Sequence, residues 1–287
     1  MNKQKSLFLI LTIYLATIIL SFLVFNTIST NHMLLDVFIT STFATFFIFI
    51  MSTVFKNSSI YDAYWSVAPM VIILVFVDTI NAVSILFVFA IYFWGIRLTR
   101  NWVLTFKDLS VQDWRYDHYR SKAKKLWPLV NFFGIHLMPT YVVLAALTPV
   151  YFALQSSSEV TLFVIFGFFI SIAATMLQTI SDRQMHQHLV TTPNKVINTG
   201  LWKYSRHPNY FGEIMFWVGL FVMSVSITQD IRWSFGPIVM ILLFVFISVP
   251  LMEQRQIKRR PEYVDYQSTT RMLIPLPKEF NRNKREA

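Results

Sequence analysis

The sequence predicts an all-α, polytopic membrane helical bundle of about seven or eight transmembrane helices, with no Rossmann domain. Three observations predict it. First, 55% of the 287 residues are hydrophobic and only 14% are charged, whereas soluble domains carry about 25% charged residues. Second, uncharged apolar stretches of about 20 residues, the length that crosses a bilayer, recur along the chain. Third, 28 Phe, 12 Tyr and 8 Trp suit a chain whose solvent is lipid, with aromatic rings near the headgroups. Seven glycines leave little material for Gly-rich nucleotide loops. The absence of cysteine excludes disulfides, thiolate zinc sites and a cysteine nucleophile.

The spans follow in order. Residues 6–26 form an uncharged stretch with no small-residue cleavage site, and more spans follow, so it is not a signal peptide. Residues 37–55, after Asp36, form the second. Residues 60–80 hold the third, with Asp62 near one end and Asp78 near the other. A turn at 78–81 leads to 82–96, which Arg97 ends. Residues 131–158 and 160–181 are the fifth and sixth, separated by a polar turn at 156–159. Residues 214–229 and 233–252 complete the set. The former is short enough to tilt, dip or sit partly inside the bundle.

With eight spans and both termini cytoplasmic, the inside segments are 1–5, 56–65, 97–130, 181–211 and 253–287. Their Lys+Arg counts are 2, 1, 8, 4 and 9, which is 24 of the chain's 25. That distribution follows the positive-inside rule. It accounts for the net charge of +10 through membrane lipids, without nucleic acid. No internal repeat or low-complexity linker interrupts what reads as one membrane domain, 1–287.

The polar residues that need explaining lie on the inside face. The densest cluster, residues 200–213, reads Gly-Leu-Trp-Lys-Tyr-Ser-Arg-His-Pro-Asn-Tyr-Phe-Gly-Glu. Pro208 suits the first position of a helix, which puts Asn209 and Glu213 one turn apart on one face. Arg206 and His207 then sit at the helix mouth, where free N–H groups and the guanidinium form an anion site. Glu213 needs a partner, because a charge within a span is costly. A ligand with amide or hydroxyl donors would supply one. The alternative is an interface anchor with Glu213 paired to an arginine.

Gln178 and Asp182 also lie one turn apart, at the inside end of the sixth span; ordinary helix-end polarity explains them equally. In the tail that begins at Glu253, Arg255 and Arg259 share a helix face suited to phosphates or to anionic headgroups. Asp62, near the start of a span, is a functional candidate, or else a helix N-cap or a first-turn acid stabilised by the dipole. Arg97, Arg100, Asn101, Asp113, Arg115 and Tyr116 add polar groups on the same side. No Walker or Gly-x-Gly-x-x-Gly loop and no Gly-x-Ser-x-Gly elbow occurs. His186 and His188 point to different helix faces, so no metal site is expected.

Residues 200–213, with Leu273-Ile-Pro275 after Tyr266, resemble the steroid 5-alpha-reductase family, in particular its bacterial branch. Asp62, Trp65 and Ser66, then Trp94, Gly95, Arg97 and Leu98, then Arg115 and Tyr116, recur there in the same order. The resemblance covers about 56–277, leaving 1–55 as N-terminal spans and 278–287 as a basic tail. It implies a helical reductase that binds NADPH from the cytosol. A lipid-phase substrate, steroid-like or isoprenoid, enters from the bilayer, and hydride goes to a C=C bond conjugated to a ketone. By motif position Asp182, Asn209, Tyr210 and Glu213 contact the nucleotide, with Arg97, Gln178, Arg206 and His207 beside them. Arg255, Arg259 and Tyr266 close over it. Asp62 falls where the family holds the substrate carbonyl. The family's tyrosine partner of that acid falls at Trp94, which is no phenol, so Tyr92 and Tyr64 become stand-ins.

Isoprenylcysteine carboxyl methyltransferases, which use S-adenosylmethionine, also resemble part of this signature through Arg-His-Pro-x-Tyr and the Glu…Tyr-x-x-Tyr…Ile-Pro tail. Asn209, Glu213, Asp62 and Trp94 favour the reductase. A non-enzymatic lipid-binding membrane protein is the third reading. Lipid identity and oligomeric state are not encoded in any motif.

Overall fold

The structure, a computed structural model, describes residues 2–28, 30–156 and 159–277. Ser157, in the expected polar turn, and the expected basic tail 278–287 lie outside the described residues. Helix makes up 81% of the described residues, and no strand occurs among them. Eight helices among the described residues are long and apolar enough to cross a membrane, which makes this a multi-pass membrane protein.

In chain order the elements are α1 (Lys3–Thr27), α2 (Met33–Val54), α3 (Tyr61–Phe76) and α4 (Ala82–Thr105). Next come α5 (Trp114–Ala123) and the short α6 (Trp127–Leu129), which leads through wide π turns at Val130–Leu137 into α7 (Met138–Leu154). Then follow α8 (Leu162–Thr191), α9 (Pro208–Thr228) and α10 (Phe235–Leu243). α10 continues through π turns at Phe244–Ser248 into α11 (Val249–Arg259), and α12 (Tyr263–Thr269) closes the series. Pro139 and Pro250 stand just beyond the two π segments. A proline has no N–H to return to the carbonyl four residues back, so the register loosens to i→i+5 there.

Three helices outrun their apolar stretches. α4 continues past Arg97 to Thr105, and α8 continues past Ser181 to Thr191. The stretch expected at 214–229 belongs to a helix of 21 residues that starts at Pro208. Hydropathy stops at the first polar residues, whereas backbone hydrogen bonding does not, and the extra turns carry Arg97, Asp182, Asn209 and Glu213.

The chain forms two compact units. One comprises Met1–Thr161 with Ser224–Gly236, the other Leu162–Met223 with Pro237–Ala287. In the first, α3 and α4 make a tight hairpin. Asn81 caps α4 in a reciprocal box with Ser84. A Cβ at Gly95 would sit 2.8 Å from the Met70 side chain and 3.0 Å from the Ser66 carbonyl, so glycine lets the helices approach. Ser66 Oγ and Thr99 Oγ1 are 2.8 Å apart across the seam. A buried polar thread also crosses this unit. The Tyr61 hydroxyl and Thr45 Oγ1 lie 2.8 Å and 2.9 Å from Thr140 Oγ1, and His136 Nε2 lies 3.1 Å from Ser52 Oγ. In the second unit α8 and α9 meet at glycines. A Cβ at Gly212 would lie 2.8 Å from the Ala174 carbonyl oxygen. Small residues at such a crossing let dispersion and polar contacts hold helices together where lipid removes the hydrophobic drive.

Candidate functional site

The first unit builds its polar cluster around Asp62. Asn57 caps the turn Ser58–Ile60 by accepting from Ser59 N. Its amide also donates to the carbonyls of Leu109 and Val111 at 2.9 and 3.1 Å. Ser58 N donates to Gln112 Oε1 at 2.8 Å, and Asp113 N donates to Ser59 Oγ at 2.9 Å. These bonds lash the 109–113 loop to the start of α3. Asp113 then caps α5, accepting from Arg115 N and Arg115 Nε at 2.8 Å each. So fixed, α5 presents Tyr116, whose hydroxyl donates to Asp62 Oδ1 in a short hydrogen bond. Arg115 Nη2 stands 3.9 Å from the same oxygen. Asp62 lies in the first turn of α3, where the dipole favours it. The cap itself is Ile60, with no side-chain bond, so Asp62 is not the helix cap.

The phenol at this carboxylate therefore comes from Tyr116, which the motif reading left without a role. Trp94 is fully buried and packs edge-on against Trp65, with ring centroids 5.8 Å apart. Tyr64 is buried against Tyr14 and Tyr61. Tyr92, half-buried, is two residues from Trp94 and so sits well round α4 from it. Arg97, half-buried on α4, belongs to this first unit.

The second unit gathers most of the remaining candidates. The close crossing at Gly212 presses the Gln178 side chain against α9. Asn209 Nδ2 lies 3.5 Å from Asp182 Oδ1. Facing a carboxylate, the amide must turn its NH2 that way, which points its carbonyl oxygen elsewhere. That oxygen is buried and has no hydrogen-bond partner. Glu213 is buried, and its Oε1 accepts from Trp217 Nε1 at 3.0 Å. The pairs Gln178/Asp182 and Asn209/Glu213 thus come together from two helices.

Arg206 has a different occupation. Its Nε donates to Glu253 Oε1 at 2.6 Å, and its Nη1 donates to the carbonyls of Gln267 and Thr270 at 3.0 and 2.7 Å. His207 Nε2 lies 3.1 Å from Glu253 Oε1, and Gln267 Nε2 donates to Glu253 Oε2 at 2.6 Å. His207 stacks on Tyr210 with centroids 5.3 Å apart. Ser205 and Arg271 form an isolated bridge, and Ser205 Oγ donates to the Leu273 carbonyl at 2.6 Å. The Tyr266 hydroxyl donates to the carbonyls of Trp202 and Ser205. Burial holds the phenols of Tyr263 and Tyr266 well above their ordinary value, so both stay neutral. The Ile-Pro tail is therefore latched onto the 200–207 segment. Glu253, which sequence reasoning did not single out, is the hub of that latch. A carboxylate near the end of the last span was the signal that could have found it. Arg255 is half-buried on α11, and Arg259 is exposed on its last turn.

Gly200 allows this segment its shape. It adopts φ +58°, and a Cβ there would lie 2.5–2.6 Å from the Gln184 amide. That amide's oxygen accepts from Leu201 N at 2.9 Å.

Residues 48–270 match the family model described as "Protein of unknown function (DUF1295)". The chain is 21% identical over 255 residues to the uncharacterized protein C594.04c of Schizosaccharomyces pombe, covering 77% of this chain and 73% of that protein. No solved structure matches. Because the family match takes in well over half of its residues, this multi-pass helical chain belongs to the DUF1295 family.

Proposed function

We propose that the chain is an NADPH-dependent reductase acting on a C=C bond conjugated to a ketone in a lipid-phase substrate. On this reading both termini and the motif loops are cytosolic. The motif resemblance supports the class, and the observation that carries it is the Asn209 carbonyl oxygen, buried without a partner. A buried acceptor without a donor is costly, about 1–3 kcal/mol, unless a ligand supplies the donor. Asn209 shares a helix face with Glu213 one turn on, and its amide nitrogen faces Asp182, so two carboxylates stand near that free acceptor. That set fits a neutral amide or amine, which a nicotinamide nucleotide carries. Asp182 orients Asn209, Asn209 accepts from the nucleotide, and Glu213 is held by Trp217. Arg255 and Arg259 are the cations for its phosphates, since Arg206 is engaged by Glu253.

NADPH, when bound, supplies the hydride. The chain itself supplies the proton. Hydride addition leaves negative charge on the ketone oxygen, and a donor placed there lowers the barrier. With a proton on Asp62, that carboxyl donates to the Tyr116 oxygen. The phenol then passes its own proton to the enolate oxygen and takes the Asp62 proton in its place, which leaves Asp62 ionised and an enol that tautomerises to the saturated ketone.

Titration of purified protein with NADPH and, separately, with S-adenosylmethionine tests the reading. NADPH should bind, with near-ultraviolet absorbance co-purifying. Asn209→Ala and Glu213→Ala should weaken it by about tenfold or more, at roughly 1.4 kcal/mol per decade. Arg259→Ala should weaken NADPH more than NADH. Binding of S-adenosylmethionine alone would move the chain to the methyltransferases. Binding of neither would leave a lipid-binding protein.

A further inference from the structure

The first unit holds a cavity of about 160 Å³ walled by α1, α2 and α3. Its volume is close to that of an engineered apolar cavity, ~150 Å³, that takes up benzene, yet its shape is different. On α1 the wall runs from Tyr14 to Phe25 and on α3 from Tyr64 to Val75, each at helical i, i+3, i+4 spacing. Eleven residues of rise make about 16 Å. The space is therefore a slot three turns long, suited to an extended chain rather than a compact ring system. Ile18 and Phe22 on its rim are exposed, so the slot opens on the outer surface of spans that face lipid.

No charged side chain lines the slot, which excludes a phosphate or ammonium headgroup from it. One polar atom stands out. Thr12, Thr17, Thr42, Thr53, Thr148 and Thr175 each fold the hydroxyl back onto the carbonyl four residues earlier. Thr40, in the wall on α2, does not: its Oγ1 is buried without a partner. In an apolar wall within a span, that hydroxyl lacks the bond most helical threonines make.

We propose that this slot binds a single hydrocarbon chain bearing a neutral oxygen, drawn from the bilayer, with that oxygen hydrogen-bonded to Thr40. The inference does not rest on the reductase reading, because a chain that reduces nothing would have the same slot. Two of its three walls also lie outside the family match, while the α3 wall falls within it. α1 and the part of α2 that carries Thr40 precede residue 48, where that match begins.

The test uses the full chain in phosphatidylcholine vesicles and a dodecanol analogue with a diazirine in mid-chain. Irradiation should label α1, α2 and α3 wall residues, and dodecanol should compete better than dodecane. Thr40→Val keeps the volume and removes the hydroxyl. It should erase that preference by about three- to tenfold, the range of one net hydrogen bond. Ala68→Trp fills the slot and should abolish wall labelling. Labels spread over the lipid-facing sides of all the helices would overturn the proposal. So would an unchanged alcohol preference in Thr40→Val, which is readable even where Ala68→Trp does not fold.

Discussion

The Tyr116 hydroxyl donates to Asp62 Oδ1, joining the first turn of α5 to the first turn of α3 across 54 positions of chain. Neither group is poised alone. The phenol is oriented by the carboxylate, and the carboxylate is held at the end of a span by the phenol and the nearby Arg115. On the proposed reductase reading the pair should behave as one unit in turnover. Tyr116→Phe and Asp62→Asn should each retain nucleotide binding and lose turnover by on the order of 10²-fold or more, as for a missing oxyanion donor. Asp62→Leu should be worse. The double variant should be no slower than the poorer single, the signature of residues acting together. NADPH oxidation against a panel of enone lipids measures it. A fully active Asp62→Leu protein would remove the pair from the mechanism.

Glu253 predicts a stability effect. Its carboxylate takes Arg206, His207 and Gln267, and the Arg206 and Glu253 side chains are only 12% and 13% exposed. Breaking a buried pair while leaving one charge behind costs about 3–5 kcal/mol. Glu253→Gln and Arg206→Ala should each lower the unfolding midpoint in detergent, and the double variant should lose much less than the sum. If Arg206→Ala keeps the midpoint and weakens nucleotide binding instead, the guanidinium is an anion ligand.

Tyr266 predicts an alkaline limit to the tail latch. Its folded phenol lies above the ordinary value because it is buried. The latch stability is therefore fully present below about pH 10, where the unfolded phenol is also neutral. It is lost as pH rises through the folded value. Protease cleavage near residue 270 should accelerate above that pH. Tyr266→Phe should cleave faster at neutral pH and show a shallower alkaline rise, with Tyr263, also raised, supplying what remains.

Much of this arrangement was legible in the sequence, for identifiable reasons. Apolar length found all eight spans. Helical spacing paired Gln178 with Asp182 and Asn209 with Glu213. What failed was anything depending on two distant segments. Hydropathy could not show α8 running on to Thr191, because the added turns are polar. The role of Tyr116 hangs on Asn57, Ser58 and Ser59 binding the loop before α5. Glu253 meets Arg206 across 47 positions. Periodicity carries no trace of such pairings, whereas a buried acid without a local partner does signal that one exists.

The basic distribution predicts that Glu159 and Lys195 lie on opposite sides of the membrane. Both are exposed, and they flank α8. A chain without cysteine makes single introduced cysteines unambiguous. A cysteine at Glu159 should react with an impermeant maleimide in intact cells, and one at Lys195 only after permeabilisation. The reverse pattern would invert the topology and put the Asn209 cluster on the wrong side for a cytosolic nucleotide.

The α8–α9 crossing predicts a graded response among glycines. At Gly134 a Cβ would meet nothing within 4 Å. Alanine there should leave stability unchanged or raise it by about 0.5–1 kcal/mol, through reduced freedom of the unfolded chain. At Gly212 the added methyl would stand 2.6 Å from the Gln178 side chain and 2.8 Å from the Ala174 carbonyl oxygen. The backbone oxygen cannot swing aside, so the helices must part. Overpacking of this kind costs about 1–3 kcal/mol, and it moves Asn209 and Glu213 away from Gln178 and Asp182. Gly212→Ala should therefore lower the unfolding midpoint and, if the proposed reductase reading holds, weaken NADPH with it. Gly200→Ala meets a flexible amide instead, but at φ +58°, which costs alanine about 1–2 kcal/mol. It should lower stability with a smaller effect on the nucleotide. Unfolding midpoints and nucleotide titrations on the three variants decide it. Wild-type NADPH affinity in a destabilised Gly212→Ala protein would separate the helix crossing from the proposed nucleotide site.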